Sequence, residues 1–236
     1  MKLDLLFVPL SEHDVKRELT LPKMVSQELA EFIGIIIGDG YIYHKKNIFI
    51  VGIVGSPKKD AEYFAHIQSL IYRLFNIRTS FKKIGRGLRL VFHSKGVFYF
   101  LTSVIGLMYG DGKGEKITIP VIISSNNEIM PGLLRGLFDT DGTIFTSDKI
   151  GCPDYPCIEL ATTSLKLAQQ VKKELISLGF RVANIRNYKS KLSKLITYKV
   201  SLYGKGNMAL WFNKIGFSNP NKQNRLLNII NGLDEI

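Results

Sequence analysis

"FIGIIIGDG", residues 32–40, is an apolar run that ends in an acid set between two glycines. A second run, "LRGLFDTDG" at 134–142, ends in a similar way. Laid in register, the two pair Gly34 with Gly136, Asp39 with Asp141 and Gly40 with Gly142. An acid at the C-terminal end of a helix is unfavourable by up to about 1 kcal/mol unless a cation neutralises it, because the unpaired carbonyls there carry partial negative charge. A glycine directly after the acid is expected to supply a left-handed cap and to let backbone approach closely. One such end could be accidental; two matched ends far apart in the chain read as an arrangement.

The text around the two runs repeats as well. "GDGYIY" is followed by "IFIVGIVGS", "PKKDAEYFAHIQSLIYRLF", "IRTSFKK", "GLRLVFHS" and "KGVFYFLTSVIGL". "TDGTIF" is followed by "CIELATTS", "LKLAQQVKKELISLGF", "RVANIRNYK", "ITYKVSLYG" and "KGNMALWFNKIGF". Each half reads helix, two strands, helix, two strands, helix. Helical period is plain at Leu167, Val171, Leu175 and Leu178, with Lys172, Lys173 and Glu174 between them. Strand alternation sets Leu88, Leu90 and Phe92 against Arg89, Val91 and His93, and Thr197, Lys199 and Ser201 against Tyr198, Val200 and Leu202. Each sheet is expected to pack one face on helices and to leave a polar, basic face open. The stretch "GDGKGEKITIPVIISSNNEI" is rich in turn formers and reads as a linker. The expected division is an N-terminal extension at 1–24, a first repeat at 25–117, a linker at 118–126 and a second repeat at 127–236.

Gly34 and Gly38 are four apart, as are Gly132 and Gly136, which strips one face of each motif helix of side chains. Small residues at that spacing let two helix backbones meet closely. If the motif helices pack together, Asp39 and Asp141 become neighbours, and two close carboxylates raise one another's pKa unless a divalent metal sits between them. Carboxylates with backbone carbonyls, here those of Gly38 and Thr140, form a hard oxygen set that favours Mg²⁺ over zinc. Asp139 has Ile37 as its counterpart, so it is expected to hydrogen-bond near the helix end rather than to ligate.

Charge points to the partner. Thirty-two Lys and Arg face 20 acids, for a net +12. Residues 63–110 hold seven basic side chains and no acid, and residues 175–233 hold ten and none. Basic surfaces that exclude acids suit a polyphosphate such as nucleic acid. The 45% hydrophobic content supports a core. The apolar run Phe32–Ile37 is far short of the roughly 20 residues a membrane span needs. The opening "MKLDLLFVPLSEHD" carries acids where a signal peptide would be basic and then apolar. An intracellular protein with no membrane and no obligate protein partner is expected, with Cys152 and Cys157 as unpaired thiols.

The paired motifs resemble the signature of the LAGLIDADG homing endonucleases, and the two-copy length resembles their monomeric members. The flanks "LPKMVSQELAEFIGIIIGDGYI" and "IPVIISSNNEIMPGLLRGLFDTDGTIF" are similar to the archaeal and intein-associated branch. The resemblance implies an α+β fold of two pseudo-symmetric αββαββα repeats, with the motif helices at the interface and antiparallel sheets forming a DNA-binding saddle. It implies metal-dependent cleavage of both strands of a long asymmetric DNA site, leaving short 3′ overhangs. Asp39 and Asp141 would bind two or three divalent cations, Mg²⁺ in function, with Mn²⁺ or Ca²⁺ able to substitute for binding. It also implies a catalytic lysine beside each metal site, which maps onto Lys113, with Lys116 as a rival, and onto Lys222. Tyr43, Lys45, Lys82, Arg86 and Arg89 in the first half, with Arg186, Lys189, Tyr198 and Lys199 in the second, are the expected DNA contacts. Two other functions fit such a chain: an RNA maturase aiding intron splicing, and a non-catalytic DNA-binding protein, against which both motif acids argue. The opening Met and the closing "LDEI" set an expectation against intein splicing by this chain.

Overall fold

The computed structural model describes residues 2–56, 60–85, 87–110, 113–124, 126–189 and 195–232. The chain begins with a short helix α1 (Glu12–Lys16) and then enters the first motif helix α2 (Gln27–Ile37). Strands β1 (Gly40–Lys45) and β2 (Ile48–Gly55), helix α3 (Ala61–Phe75), strands β3 (Phe81–Ile84) and β4 (Gly87–His93) and helix α4 (Lys95–Tyr99) complete the first repeat. Helix α4 passes into a π-helical turn at Phe100–Val104. A single turn, α5 (Lys113–Lys116), leads to the second motif helix α6 (Met130–Thr140). Strands β5 (Gly142–Lys149) and β6 (Cys152–Thr162), helix α7 (Leu165–Ser177), strands β7 (Arg186–Lys189) and β8 (Ile196–Tyr203), and helices α8 (Lys205–Lys214) and α9 (Pro220–Asn231) follow. The two four-stranded antiparallel sheets run in the same order, β1-β2-β4-β3 and β5-β6-β8-β7. The protein is therefore α+β with an internal twofold, as the repeat pattern implies.

Local chemistry sets the helices. Ser26 accepts from Leu29 N at the start of α2, and Ser164 does the same for Leu167 N at the start of α7. Asn219 caps α9, with Pro220 in its first turn. Helix α3 buries Phe64, Ile67, Ile71, Leu74 and Phe75 along one stripe. Helix α2 instead is buried at every position from Leu29 to Ile37, which marks a central element enclosed on all sides.

The segment between the repeats is pinned down. Ile117, Ile119 and Ile123 are buried, Ser164 Oγ donates to Ile117 O at 2.8 Å, and Gln170 Oε1 accepts from Ile119 N at 2.9 Å. Cys152 and Cys157 are both free thiols, at opposite ends of an extended stretch of β6.

The N-terminal segment is clamped by one carboxylate. Asp14 is buried; it accepts from Ser11 N and Oγ, from Ser94 Oγ at 2.7 Å and from Gly96 N at 3.0 Å, and it pairs with Arg17. Burial pushes its carboxyl pKa up, but the hydrogen bonds from Gly96, Ser11 and Ser94 outweigh burial and hold it well below the usual range. A depressed folded-state pKa contributes stability above the ordinary carboxylate pKa and loses it as pH falls. Asp14→Asn is expected to cost about 3 kcal/mol in urea unfolding at pH 7. The gap from the unmodified protein should narrow below about pH 4, and an unchanged midpoint at pH 7 would contradict the clamp.

Candidate nucleic-acid interface and paired motif tips

The two motif helices lie backbone to backbone. A Cβ on Gly34 would stand 2.8 Å from Leu137 N and closer still to Leu133 O. A Cβ on Gly136 would stand 2.9 Å from Ile35 N and closer still to Glu31 O. At the N-terminal end Gly132 abuts the Gln27 carbonyl, and at the C-terminal end Gly38 faces the Thr140 side chain and Asp141 Cγ. These contacts advance along both helices in the same direction, so the helices are parallel and their acidic tips lie at one end. Asp39 is exposed and Asp141 is half-buried there.

After each acid the chain folds straight back against its own helix. A Cβ on Gly40 would meet Ile36, and one on Gly142 would meet Phe138, whose Cα lies 2.8 Å away. Close approach therefore explains both glycines. The left-handed cap does not, because neither has a positive φ: each opens a strand instead.

The cation that the second helix end requires is Lys222. Its Nζ donates to the carbonyls of Asp139 and Gly142 at 2.6 Å and of Phe138 at 2.8 Å, with Thr140 O at 3.3 Å. Burial lowers its pKa, against the pull of Asp139, Asp60, Asp39 and Asp141. The ammonium thus bridges the end of α6 and the start of β5, and Lys222 sits here as a clamp on the acidic tip. Thr140 O, an expected metal ligand, faces the same ammonium. Lys113 opens α5, and its side chain lies outside the described residues, as does Arg86.

Asp139 holds the segment that delivers this lysine. Its carboxylate accepts from Ser218 N at 2.9 Å and Asn219 N at 3.1 Å, where α9 begins. Burial pushes its pKa up to about 7, against the lowering effect of those two N–H groups and of Lys222. Glu31, buried on α2, ties the repeats together: it accepts from Ser218 Oγ at 2.7 Å, meets His66 at 2.7 Å and pairs with Arg135 of α6 at 3.3 Å. Asp60, which no repeat signal marks, stands beside Lys222 at the second tip, and its carboxylate accepts from Ser56 N at 2.7 Å. A cleft of about 610 Å³ beside the second tip is lined by Asp60, Gly142, Thr143, Lys222 and Arg225. A smaller one of about 290 Å³ is lined by Gly38, Gly114, Asp141 and Thr162.

The donor set at the tips is oxygen throughout. Among the described residues no group of three or more His, Cys, Asp or Glu could hold a metal alone. Two carboxylates and nearby carbonyls fit a hard divalent cation that takes its remaining ligands from a phosphate or water, and do not fit a structural zinc site.

Strand pairing assigns the expected DNA contacts to faces, because directly paired residues share one. On the first sheet Tyr43 pairs with Ile50, Lys45 with Ile48 and Lys82 with Arg89, and all four expected residues lie on the open face. On the second sheet Arg186 pairs with Lys199 on the open face. Tyr198 lies on the opposite face with Val200 and Leu202, packed against the core, and Lys189, paired with Ile196, is on that side as well. Neither belongs to the open surface, contrary to expectation. The second open face also holds an acid that the charge count did not reveal, Glu159, paired with Arg186 at 2.7 Å and Lys199 at 2.6 Å. Among the described residues no helix is long and apolar enough to cross a membrane.

Residues 128–216 match the family model of the LAGLIDADG-like domain. The fold matches that of solved homing endonucleases. I-DmoI in complex with DNA and Ca aligns with a TM-score of 0.55 at 19% identity, over 87% of this chain and 97% of that one. I-WcaI bound to its DNA recognition sequence aligns with a TM-score of 0.53 at 18% identity, over 93% and 96%. Among curated proteins, a replication factor C small subunit from Methanocaldococcus jannaschii is 26% identical over 87% of this chain, and one from Thermococcus kodakarensis is 27% identical over 89%. The chain spans only 10% and 22% of the lengths of those two relatives, so most of each lies outside the match.

Proposed function

We propose that the chain is a site-specific, Mg²⁺-dependent DNA endonuclease of the homing type, which acts as an intracellular monomer on both strands of a long asymmetric site and leaves short 3′ overhangs. The observation that carries this reading is that Asp39 and Asp141 stand at the same end of two parallel, glycine-packed helices, followed by two sheets of identical order. I-DmoI, whose fold this chain shares, supports it, since it was solved with DNA and Mn and with DNA and Ca.

Asp39 and Asp141, with the carbonyl of Gly38, would hold the cations. A divalent cation bound there supplies charge neutralisation at a phosphate and lowers the pKa of a bound water. Lys222 holds the second tip in shape and offsets the negative end of α6. Arg89, Lys82 and Lys45 attract the duplex and set its register, and Arg186 and Lys199 face it from the second sheet. Tyr43 stands among them on the first face.

Two measurements test the reading. A randomised plasmid library incubated with Mg²⁺ should yield staggered double-strand ends at recurring sequences, and none with EDTA; ends that form equally with EDTA would refute it. The logarithm of binding affinity should fall against the logarithm of salt concentration with a slope of about −4 to −8, as several neutralised phosphates require. A flat plot would contradict the basic-face argument.

A further inference from the structure

The two open faces correspond row by row. Gly40 pairs with Ile53 as Gly142 pairs with Leu160. Stepping outward, the row Tyr41, Gly52 and Val91 in the first sheet matches Thr143, Glu159 and Ser201 in the second. The adjoining row Val54, Arg89 and Lys82 matches Ala161, Lys199 and Arg186. Both faces thus carry an arginine and a lysine side by side at the same place, in opposite order.

They differ in what stands next to the pair. In the first sheet the position is Gly52, and the Tyr41 ring occupies the space a Cβ would take. In the second it is Glu159, only 5% exposed. Its Oε2 accepts from Arg186 Nη2 at 2.7 Å and Ser201 Oγ at 2.8 Å, and its Oε1 accepts from Lys199 Nζ at 2.6 Å. Arg186 Cζ also lies 6.0 Å from the centroid of the Tyr203 ring. The guanidinium is tethered at one nitrogen while its side chain remains 56% exposed, which leaves other N–H donors facing outward.

A buried carboxylate beside two cations weakens their pull on a phosphate and repels it, whereas a base edge is neutral and accepts hydrogen bonds. A guanidinium held in one orientation suits the paired O6 and N7 acceptors of guanine. We infer that Glu159 positions Arg186 to read a guanine in the half of the DNA site beneath the second repeat, and that Gly52 leaves the first repeat without a fixed reader at the symmetry-related position. This rests on the endonuclease reading for the DNA partner, though not on cleavage.

The test is selection of bound duplexes from a randomised library at fixed salt, followed by sequencing, with circular dichroism melting as a check on folding. The unmodified protein should prefer guanine at one position of one half-site and show little preference at the symmetry-related position. Glu159→Gln should weaken that guanine preference about tenfold or more, the range of a bidentate contact, while preferences elsewhere persist. Arg186→Lys, at an exposed side chain that keeps its charge but loses the fork, should relax the same position and carries the test if Glu159→Gln does not fold. Unchanged preferences, uniform relaxation across the site, or binding without any preference would overturn the inference. Sequence-preferring binding without Mg²⁺-dependent cutting would instead overturn the endonuclease reading and leave this one standing.

Discussion

Asp39→Asn, or Asp141→Asn, is expected to lower Mg²⁺-dependent DNA cleavage at least about a thousandfold while leaving DNA affinity largely intact. The acids stand at the tips of the parallel helices α2 and α6, and among the described residues no His, Cys, Asp and Glu cluster of three could take over a cation. Loss of fold does not account for the expected effect. Asparagine has the shape of aspartate, and removing negative charge from a helix C-terminus relieves an unfavourable term of up to about 1 kcal/mol. Binding is expected to survive because the basic open faces, rather than the tips, carry most of the attraction to phosphate. Plasmid nicking and linearisation read the first quantity and a gel-shift titration reads the second. Nicking by either variant at the rate of the unmodified protein would remove these carboxylates from the mechanism.

Gly136→Ala is expected to be the most destabilising of the single-methyl changes, costing about 3 kcal/mol or more. The new Cβ would press on Glu31 O and Ile35 N, and both are backbone atoms of a helix buried on every side. A side chain could rotate away; a helix must translate, and the Glu31 contacts with Arg135 and Ser218 would stretch with it. Gly206, where a Cβ meets nothing within 4 Å, supplies the control: Gly206→Ala in α8 should be neutral or stabilising. Urea unfolding of the three proteins checks the ordering, and equal midpoints for Gly136→Ala and the unmodified chain would mean that the helices are not packed as described.

Local pattern carried most of the architecture. The period of α7, the alternation of β4 and the recurrence of an acid after an apolar run are written in consecutive residues, and these place both sheets and both tips. What escaped depends on distant partners. Lys222 reaches carbonyls 80 to 84 residues away. Glu159 meets Arg186 and Lys199 across 27 and 40 residues, so a count of acids along the chain could not place it on the basic face. Tyr198 was misassigned for a nearer reason. It adjoins Lys199 on β8, and neighbouring strand residues point to opposite faces, so the two cannot share a surface. Gly40 and Gly142 looked like left-handed caps because glycine after a helix often is one. Here the chain enters a strand at once, and it is the crowding against Ile36 and Phe138 that requires glycine.

Anomalous scattering from crystals grown with selected target DNA and Mn²⁺ tests the central claim most directly. The account predicts manganese peaks within ordinary ligand distance of both Asp39 and Asp141, on the side of the tips that faces the DNA backbone. Peaks elsewhere on the protein with none at either carboxylate, in a complex that holds its duplex, would contradict it.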